Sequence, residues 1–475
     1  MKFSSPANPP RVAVVGAGWA GLAAAVQAHQ LGHQVTLLEA TRTPGGRARS
    51  VTLPLPNGHT LQADNGQHIL IGAYTDTLRL MRTGGADPAQ LLQRLPLTLR
   101  YPDGSGLSLP RLPRPLDAAV GILGTRGWPL QDRLTLLRTA IAWRRNGFAC
   151  DPALTVAVLC QTLPTAVRHD FIDPLCVAAL NTPPAEASAQ VFLRVLHDAL
   201  LGPPGSADLL LPRTELGALW PEPAIRWLQA EGVQVRWGSR IDALHAHAGQ
   251  SAHAHAGRWQ IGSEIFDRVV LAVPAHTAAR IAAASNAPDS TSAAALQRWS
   301  AQAAALHHEA IATVYALVAD PGPDLTPHHP SGQPWPTPML ALRADGSAQA
   351  PAQFVFDRSA LLSQAATGTP AHNATAANTP HHRLLAFVIS AARDRAAALE
   401  AGVTAQARAQ LGLVVTPLRT IVEKRATFAC TPGLQRPPMQ VAPGLLACGD
   451  FIDGPYPATL EGAVRSGLQA AEALR

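Results

Sequence analysis

The stretch from Arg11 to Arg49, RVAVVGAGWAGLAAAVQAHQLGHQVTLLEATRTPGGRAR, constrains the fold more than any other part of the chain. Val12–Val15 is a short apolar run of the kind that forms a buried parallel strand. Gly16, Gly18 and Gly21 follow at the G-x-G-x-x-G spacing, and Ala20–Gln30 carries a helical pattern. Val35–Glu39 reads as a second strand that ends in an acid. Each position has a mechanical task in a dinucleotide site: Gly16 permits the tight turn, Gly18 lets backbone approach a pyrophosphate, and Gly21 lets the helix pack on the strand. The N-terminus of that helix offers free N–H groups and a partial positive charge to the pyrophosphate. Glu39, 18 residues after Gly21, is placed to accept hydrogen bonds from both hydroxyls of a ribose.

Val12–Gln30 holds no charge and approaches the length of a membrane span. Three glycines at phosphate-loop spacing make it a poor spanning helix. It is an equally poor signal peptide, lacking a basic segment directly before it and a cleavage site after it. The strand, turn, helix, strand and terminal acid together point to a nucleotide-binding α/β unit.

Which dinucleotide is bound turns on Gly45-Gly46-Arg47-Ala48-Arg49. A second glycine doublet resembles the loop that follows the Rossmann unit in the flavin amine oxidase and phytoene desaturase superfamily. There it wraps the FAD pyrophosphate, with an arginine reaching the phosphates. NAD enzymes need no such loop, because their nicotinamide must leave after each turnover.

With 475 residues, 47% hydrophobic and 15% charged, the chain is long enough for two or more well-packed domains and is not disordered. A net charge of +6 with scattered positive residues and no nucleic-acid motif argues against a nucleic-acid partner. A mild basic excess does suit an anionic membrane surface. Cys150, Cys160, Cys176, Cys430 and Cys448 form no CxxC and no disulfide ladder, so a reducing cytoplasm is expected. The Asn373-Ala-Thr375 sequon carries no weight without secretion.

Further along, Asp64-Asn-Gly-Gln-His-Ile-Leu70 follows a turn at Asn57-Gly58 and precedes a helical stretch over 74–82. Its backbone could lie against a flavin ring. Helical spacing then dominates from about Leu95 to Leu201, over 116–123, 130–143, 151–158 and 191–200. Residues 218–230 read as a helix, 233–241 as a strand corner, and 268–273 as a buried strand ended by Pro274. The alternating His245, His247, His253 and His255 suggest a solvated hairpin tip rather than a metal site. The doublets His307-His308, His328-His329 and His381-His382 have no ligand spacing with any acid or cysteine, and no metal is expected. Residues 277–305 are Ala/Ser-rich helix or loop; 310–318, 354–356 and 384–390 look like strands; 321–338 and 345–382 hold low-complexity inserts. The tail returns to the nucleotide theme: a strand ends in Gly449-Asp450, a Pro/Gly loop follows, and a helix begins near Thr459. Asp450 can bind a polyol hydroxyl, and the helix start can face the electron-rich edge of a flavin.

VAVVGAGWAGLAAA, GGRARS, DNGQHILIGAY, RVLHDALLG with DLLLPRTELG, and GDFIDGPYPATLEGAVRSG together resemble the squalene-associated FAD-dependent desaturases, the hydroxysqualene dehydroxylases of that same superfamily. The likeness runs from about residue 11 to 475; the tail departs from it by lacking a tryptophan after Asp450. The resemblance implies an α/β fold with a discontinuous Rossmann-like FAD domain (1–95, 205–275 and 430–475) and a mixed α+β substrate domain (96–204 and 276–429). The residues expected around FAD are Gly16, Gly18, Trp19, Ala20, Gly21, Glu39, Ala40, Gly45, Gly46, Arg47, Gly66, Gln67, His68, Ile241, Gly449, Asp450, Thr459 and Leu460.

It implies in turn removal of the hydroxyl of hydroxysqualene with reduced flavin, giving squalene for hopanoid synthesis. The substrate would be an apolar C30 isoprenoid reached from a peripheral position on the membrane, with contact to upstream squalene-pathway enzymes. A proton must help the hydroxyl leave; His68, for its ordinary pKa, and Tyr456, in the loop after Asp450, are the candidates. The rival readings are a polyene desaturase running hydride transfer the other way, an amine oxidase, and a flavoprotein without catalysis.

Overall fold

A computed structural model of the chain describes residues 9–54, 58, 60–247, 257–287, 289–318, 335, 337–344, 347–363 and 383–474. Asn57, His253, His255, His328, His329, His381, His382, the Asn373 sequon and most of both low-complexity inserts lie outside these residues.

One sheet carries the expected nucleotide unit. Its order is Gln234–Arg236, Gln34–Leu38, Arg11–Val15, Arg268–Leu271, Leu445–Ala447 and Gln440–Ala442. The first five strands are parallel and the last is antiparallel. Val12, Ala13 and Val14 have no exposed surface, which is why the strand is apolar throughout rather than alternating. The helix Trp19–Gln30 packs on one face of the sheet, where the late helix Leu460–Glu472 crosses it. A Cβ on Gly467 would lie 2.2 Å from the Ala20 carbonyl oxygen, so only glycine allows this crossing. Nearly every residue of Trp19–Ala28 is buried, and this accounts for the absence of charge. No helix among the described residues is long and apolar enough to cross a membrane.

A second sheet is antiparallel throughout, in the order Met339–Ala341, Phe354–Asp357, Leu384–Ser390, His308–Val318 and Val415–Phe428. One face, including Val314, Leu385 and Phe387, packs on the helix Ala396–Gln406 through Leu399 and Val403. The opposite face turns toward the first sheet.

The strand Val415–Phe428 is invisible to a period-two reading of the sequence, for a physical reason. It is an edge strand, half-exposed and rich in charge, and Pro417 sits where the ladder slips register against Tyr315 and Ala316. The helix expected over 218–230 starts afresh at Pro221, because the residue before a proline is pushed out of helical geometry; Trp220 has φ −141°. Residues 277–305 belong to two helices, Ala275–Ala284 and Ser290–Ala304, the second capped by Asp289, whose carboxylate accepts the Ser292 N–H at 2.8 Å. The helix expected over 151–158 shrinks to Val156–Leu159 behind an Asp151 turn. The remaining expected helices stand at Thr75–Thr83, Leu116–Leu123, Leu130–Arg145 and Ala189–Leu201.

Candidate functional site

Between the two sheets lies a cavity of about 760 Å³, within the size range of cofactor sites. Of the residues expected around the cofactor, Gly16, Gly18, Trp19, Ala20, Glu39, Ala40, Gly45, Gly46, Arg47, Gly66, Gln67, His68, Ile241, Gly449, Asp450, Thr459 and Leu460 all line it. Gly21 stands behind the wall: a Cβ there would lie 1.9 Å from the Gly16 carbonyl oxygen, so its task is helix–strand packing.

The two glycine loops are joined to each other. The Gly45 N–H donates to the Ala17 carbonyl at 2.8 Å, and the Trp19 indole N–H donates to the Ala48 carbonyl at 2.9 Å. Gly18 is the N-cap of the first helix and has no side chain to satisfy the free amides. A Cβ on Gly18 would meet nothing within 4 Å, so the space beside these amides is open to a ligand. The Glu39 carboxylate accepts the Ala17 N–H at 2.7 Å and the Thr41 N–H and hydroxyl at 2.8 Å, which fixes its orientation at the end of the strand. Opposite, Arg47 ion-pairs with Asp450 and donates to the Ala426 carbonyl at 2.7 Å. Thr459 caps the last helix, accepting the Gly462 N–H at 3.0 Å, and that helix begins at the cavity.

The segment Asp64–His68 is stitched to both neighbours. The Tyr315 hydroxyl donates to the Asp64 carbonyl at 2.9 Å, and the Thr313 hydroxyl accepts the Gln67 N–H at 3.2 Å. On the other side, Asn65 accepts the Arg49 N–H at 3.0 Å and donates to the Arg47 carbonyl at 2.7 Å. The Asp64 side chain is fully buried: one oxygen accepts the Leu216 N–H at 2.7 Å, and the other lies 3.7 Å from the equally buried Arg358 guanidinium. Burial pushes the Asp64 carboxyl up to about 7, against the pull of Arg358.

The two candidate proton donors occupy different surroundings. His68 lines the cavity, and its Nδ1 lies 2.6 Å from the Gly66 carbonyl oxygen. A carbonyl only accepts, so Nδ1 carries the proton and Nε2 is left bare. Burial, reinforced by the nearby Arg47 charge, lowers the His68 pKa and favours the neutral ring. Tyr456 is not among the cavity-lining residues. Its ring lies under the Arg465 guanidinium at 4.6 Å, and burial together with the Asp198 carboxylate raises its pKa.

Sequence reasoning missed the far wall. Ile311, Ser390 and Glu423 stand in register on three adjacent strands of the second sheet and all line the cavity. Phe354, Phe356 and Val388 continue that wall, and Ala178 and Ala179 of the helix Asp173–Leu180 join it. Glu423 belongs to the strand whose edge position hid it.

These residues fit FAD. The open space at Gly18, the arginine-bearing second loop and the acid ending the second strand suit a dinucleotide. Gln67, in the wall, has a buried Oε1 without a hydrogen-bond partner among the described residues, an acceptor left for a ligand N–H.

Residues 19–475 match the model of the family described as flavin containing amine oxidoreductase. The chain is 27% identical to the hydroxysqualene dehydroxylase of Rhodopseudomonas palustris over 97% of either chain. It is 26% identical to that of Sinorhizobium fredii over 98% of either chain. An oxidoreductase from Methanosarcina mazei shares the fold, with a TM-score of 0.66 over 97% of this chain and all of that one at 16% identity. The glycine loops, the paired Arg47 and Asp450 and this full-length match lead to one conclusion: the chain belongs to the flavin-containing amine oxidoreductase family and is an FAD-dependent oxidoreductase.

Proposed function

We propose that the enzyme removes the hydroxyl of hydroxysqualene reductively, giving squalene and water. The observation that carries this reading is the wall opposite the glycine loops, where Ile311, Phe354, Phe356, Val388, Ala178 and Ala179 present apolar surface broken by few polar groups. Such a surface holds a polyisoprenoid by burial and keeps water away. The likeness to hydroxysqualene dehydroxylases over nearly the whole chain points the same way.

The hydroxyl is allylic, so its departure leaves a delocalised cation, and a proton lets it leave as water. Bound reduced FAD supplies the hydride that replaces it. The protein contributes placement, dryness and the proton, because water inside the cavity would recapture the cation as alcohol. Among the candidates, His68 borders the cavity and can donate once protonated, whereas Tyr456 faces Arg465. Glu423 supplies a carboxylate on the substrate side that can steady positive charge.

Anaerobic incubation of photoreduced protein with hydroxysqualene tests the reading. Squalene should form as the flavin reoxidises; flavin that stays reduced with no product overturns it. The same apolar wall suits a polyene desaturase. That reading predicts the opposite signal, bleaching of oxidised flavin by a more saturated polyene.

A further inference from the structure

We propose that the face built by the helix Leu116–Leu123 and its flanking segments docks on an anionic lipid bilayer. Leu116, Val120 and Leu123 follow one another at helical spacing and are 56%, 46% and 38% exposed. The helix turns Gly121 and Ile122 inward instead, and a Cβ on Gly121 would meet Leu109 at 2.6 Å. A helix on a water-facing surface carries polar residues outward. This one carries leucine and valine outward. Leu130, 63% exposed, opens the next helix, which packs against the first.

Charge decides the occupant. Between Arg111 and Arg145 stand seven arginines and two aspartates, net +5 out of +6 for the whole chain. Arg111, Arg126, Arg138, Arg144 and Arg145 are exposed, and none forms an ion pair among the described residues. Arg133 is used differently: it donates to the Leu123 carbonyl at 2.8 Å and the Trp128 carbonyl at 2.7 Å, locking the turn between the helices. Apolar side chains held outward on a rigid frame, in a segment that also carries five exposed arginines without ion pairs among the described residues, match a leaflet of anionic headgroups over hydrocarbon. A second copy of this chain would bring the same excess positive charge to the contact.

The face also lies in the helical layer that reaches the cavity. The helix Leu130–Arg145 packs on Thr165–Val167, which runs on through Arg168–Ile172 into Asp173–Leu180, the source of Ala178 and Ala179. Docking would thus set a cavity wall close to the bilayer; that purpose rests on the lipid-substrate reading, whereas the docking does not.

The test uses the full-length, FAD-loaded protein and phosphatidylcholine vesicles with and without phosphatidylglycerol. Cosedimentation is expected with the anionic vesicles and not with the neutral ones, and high salt should release the protein. Arg144→Gln/Arg145→Gln should lower the partition coefficient about thirtyfold, at about 1 kcal/mol per charge near the surface. Leu116→Gln/Val120→Gln should abolish binding while flavin absorbance and melting temperature stay unchanged. The proposal is overturned if the wild type stays in the supernatant with anionic vesicles, or if both variants bind as it does. It is equally overturned if Leu116→Gln/Val120→Gln disperses an oligomer, seen by sedimentation velocity, without changing vesicle binding. Dehydroxylation of detergent-solubilised hydroxysqualene, assayed alongside, reports on the reaction separately.

Discussion

Arg47 and Asp450, 403 residues apart in the chain, form an ion pair at the edge of the cavity. Arg47 also holds the Arg425 and Ala426 carbonyls, so one guanidinium joins the second glycine loop, the end of the edge strand and the turn before the last helix. Asp450→Ala should therefore weaken FAD binding about tenfold or more and lower the melting temperature. In a double-mutant cycle with Arg47→Ala the two effects should fall short of additivity by about 1–3 kcal/mol. Additive losses in FAD affinity would show that the pair does not act as a unit.

Glu39 is the second lever on the cofactor. Its carboxylate holds the Ala17 and Thr41 amides, and we propose that it also accepts from a ribose of FAD, so its substitution removes a loop anchor and that acceptor together. Glu39→Ala should cost about 1.5–3 kcal/mol of FAD affinity, a rise in Kd of roughly ten- to a hundredfold. Fluorescence titration of the apoprotein measures it, and an unchanged Kd would remove Glu39 from the binding site.

The proton transfer proposed for His68 has a signature in pH. Burial lowers the His68 pKa, so the share of donor-competent His68 grows as pH falls below the ordinary histidine range. With reduced enzyme, kcat/KM should rise toward acid. His68→Gln, at full flavin content, should lose that limb and about a hundredfold in rate. Tyr456→Phe should keep its rate within about twofold, since that ring stacks under Arg465 outside the cavity wall. Full turnover in His68→Gln would pass the task to another group, and Glu423→Gln is then the variant to make.

Asp64 predicts a second pH effect, on stability. Burial pushes its carboxyl up to about 7 from 3.8, so between those values the folded chain holds a proton that the unfolded chain has released. The Asp64 contribution is full below the lower value and is lost as pH rises through the upper one. Its slope approaches about 1.4 kcal/mol per pH unit at most. Arg358 and Glu215 face the same carboxyl, so the comparison must be with Asp64→Asn, whose unfolding free energy should change less between pH 5 and 7. Parallel curves for the two proteins would refute the assignment.

The glycine-loop side of the cavity was legible in the sequence because its residues are constrained by backbone. A glycine at Gly16 or Gly45 answers to φ values of +110° and +103°, and such demands leave a fixed spacing. The opposite wall of the cavity was not, because its residues are constrained only by which way they point across a sheet. Ile311, Ser390 and Glu423 meet through pairing between distant strands, and no local pattern records that register. Arg358 was missed for a similar reason: its partner Asp64 is far away in sequence, and its burial depends on the carbonyls of Pro212 and Thr214.

The parallel sheet has a consequence for synthesis. On the ribosome, Arg11–Val15 and the helix Trp19–Gln30 emerge hundreds of residues before Leu445–Ala447 and Leu460–Glu472, which complete that sheet and cover that helix. Until then the nascent chain displays the free edge of Arg268–Leu271 and the uncovered flank of an almost wholly apolar helix, surfaces that invite wrong pairing. A stalled or prematurely terminated chain would carry both glycine loops yet expose that edge, making it a natural client for chaperones and proteases rather than a partly active flavoprotein.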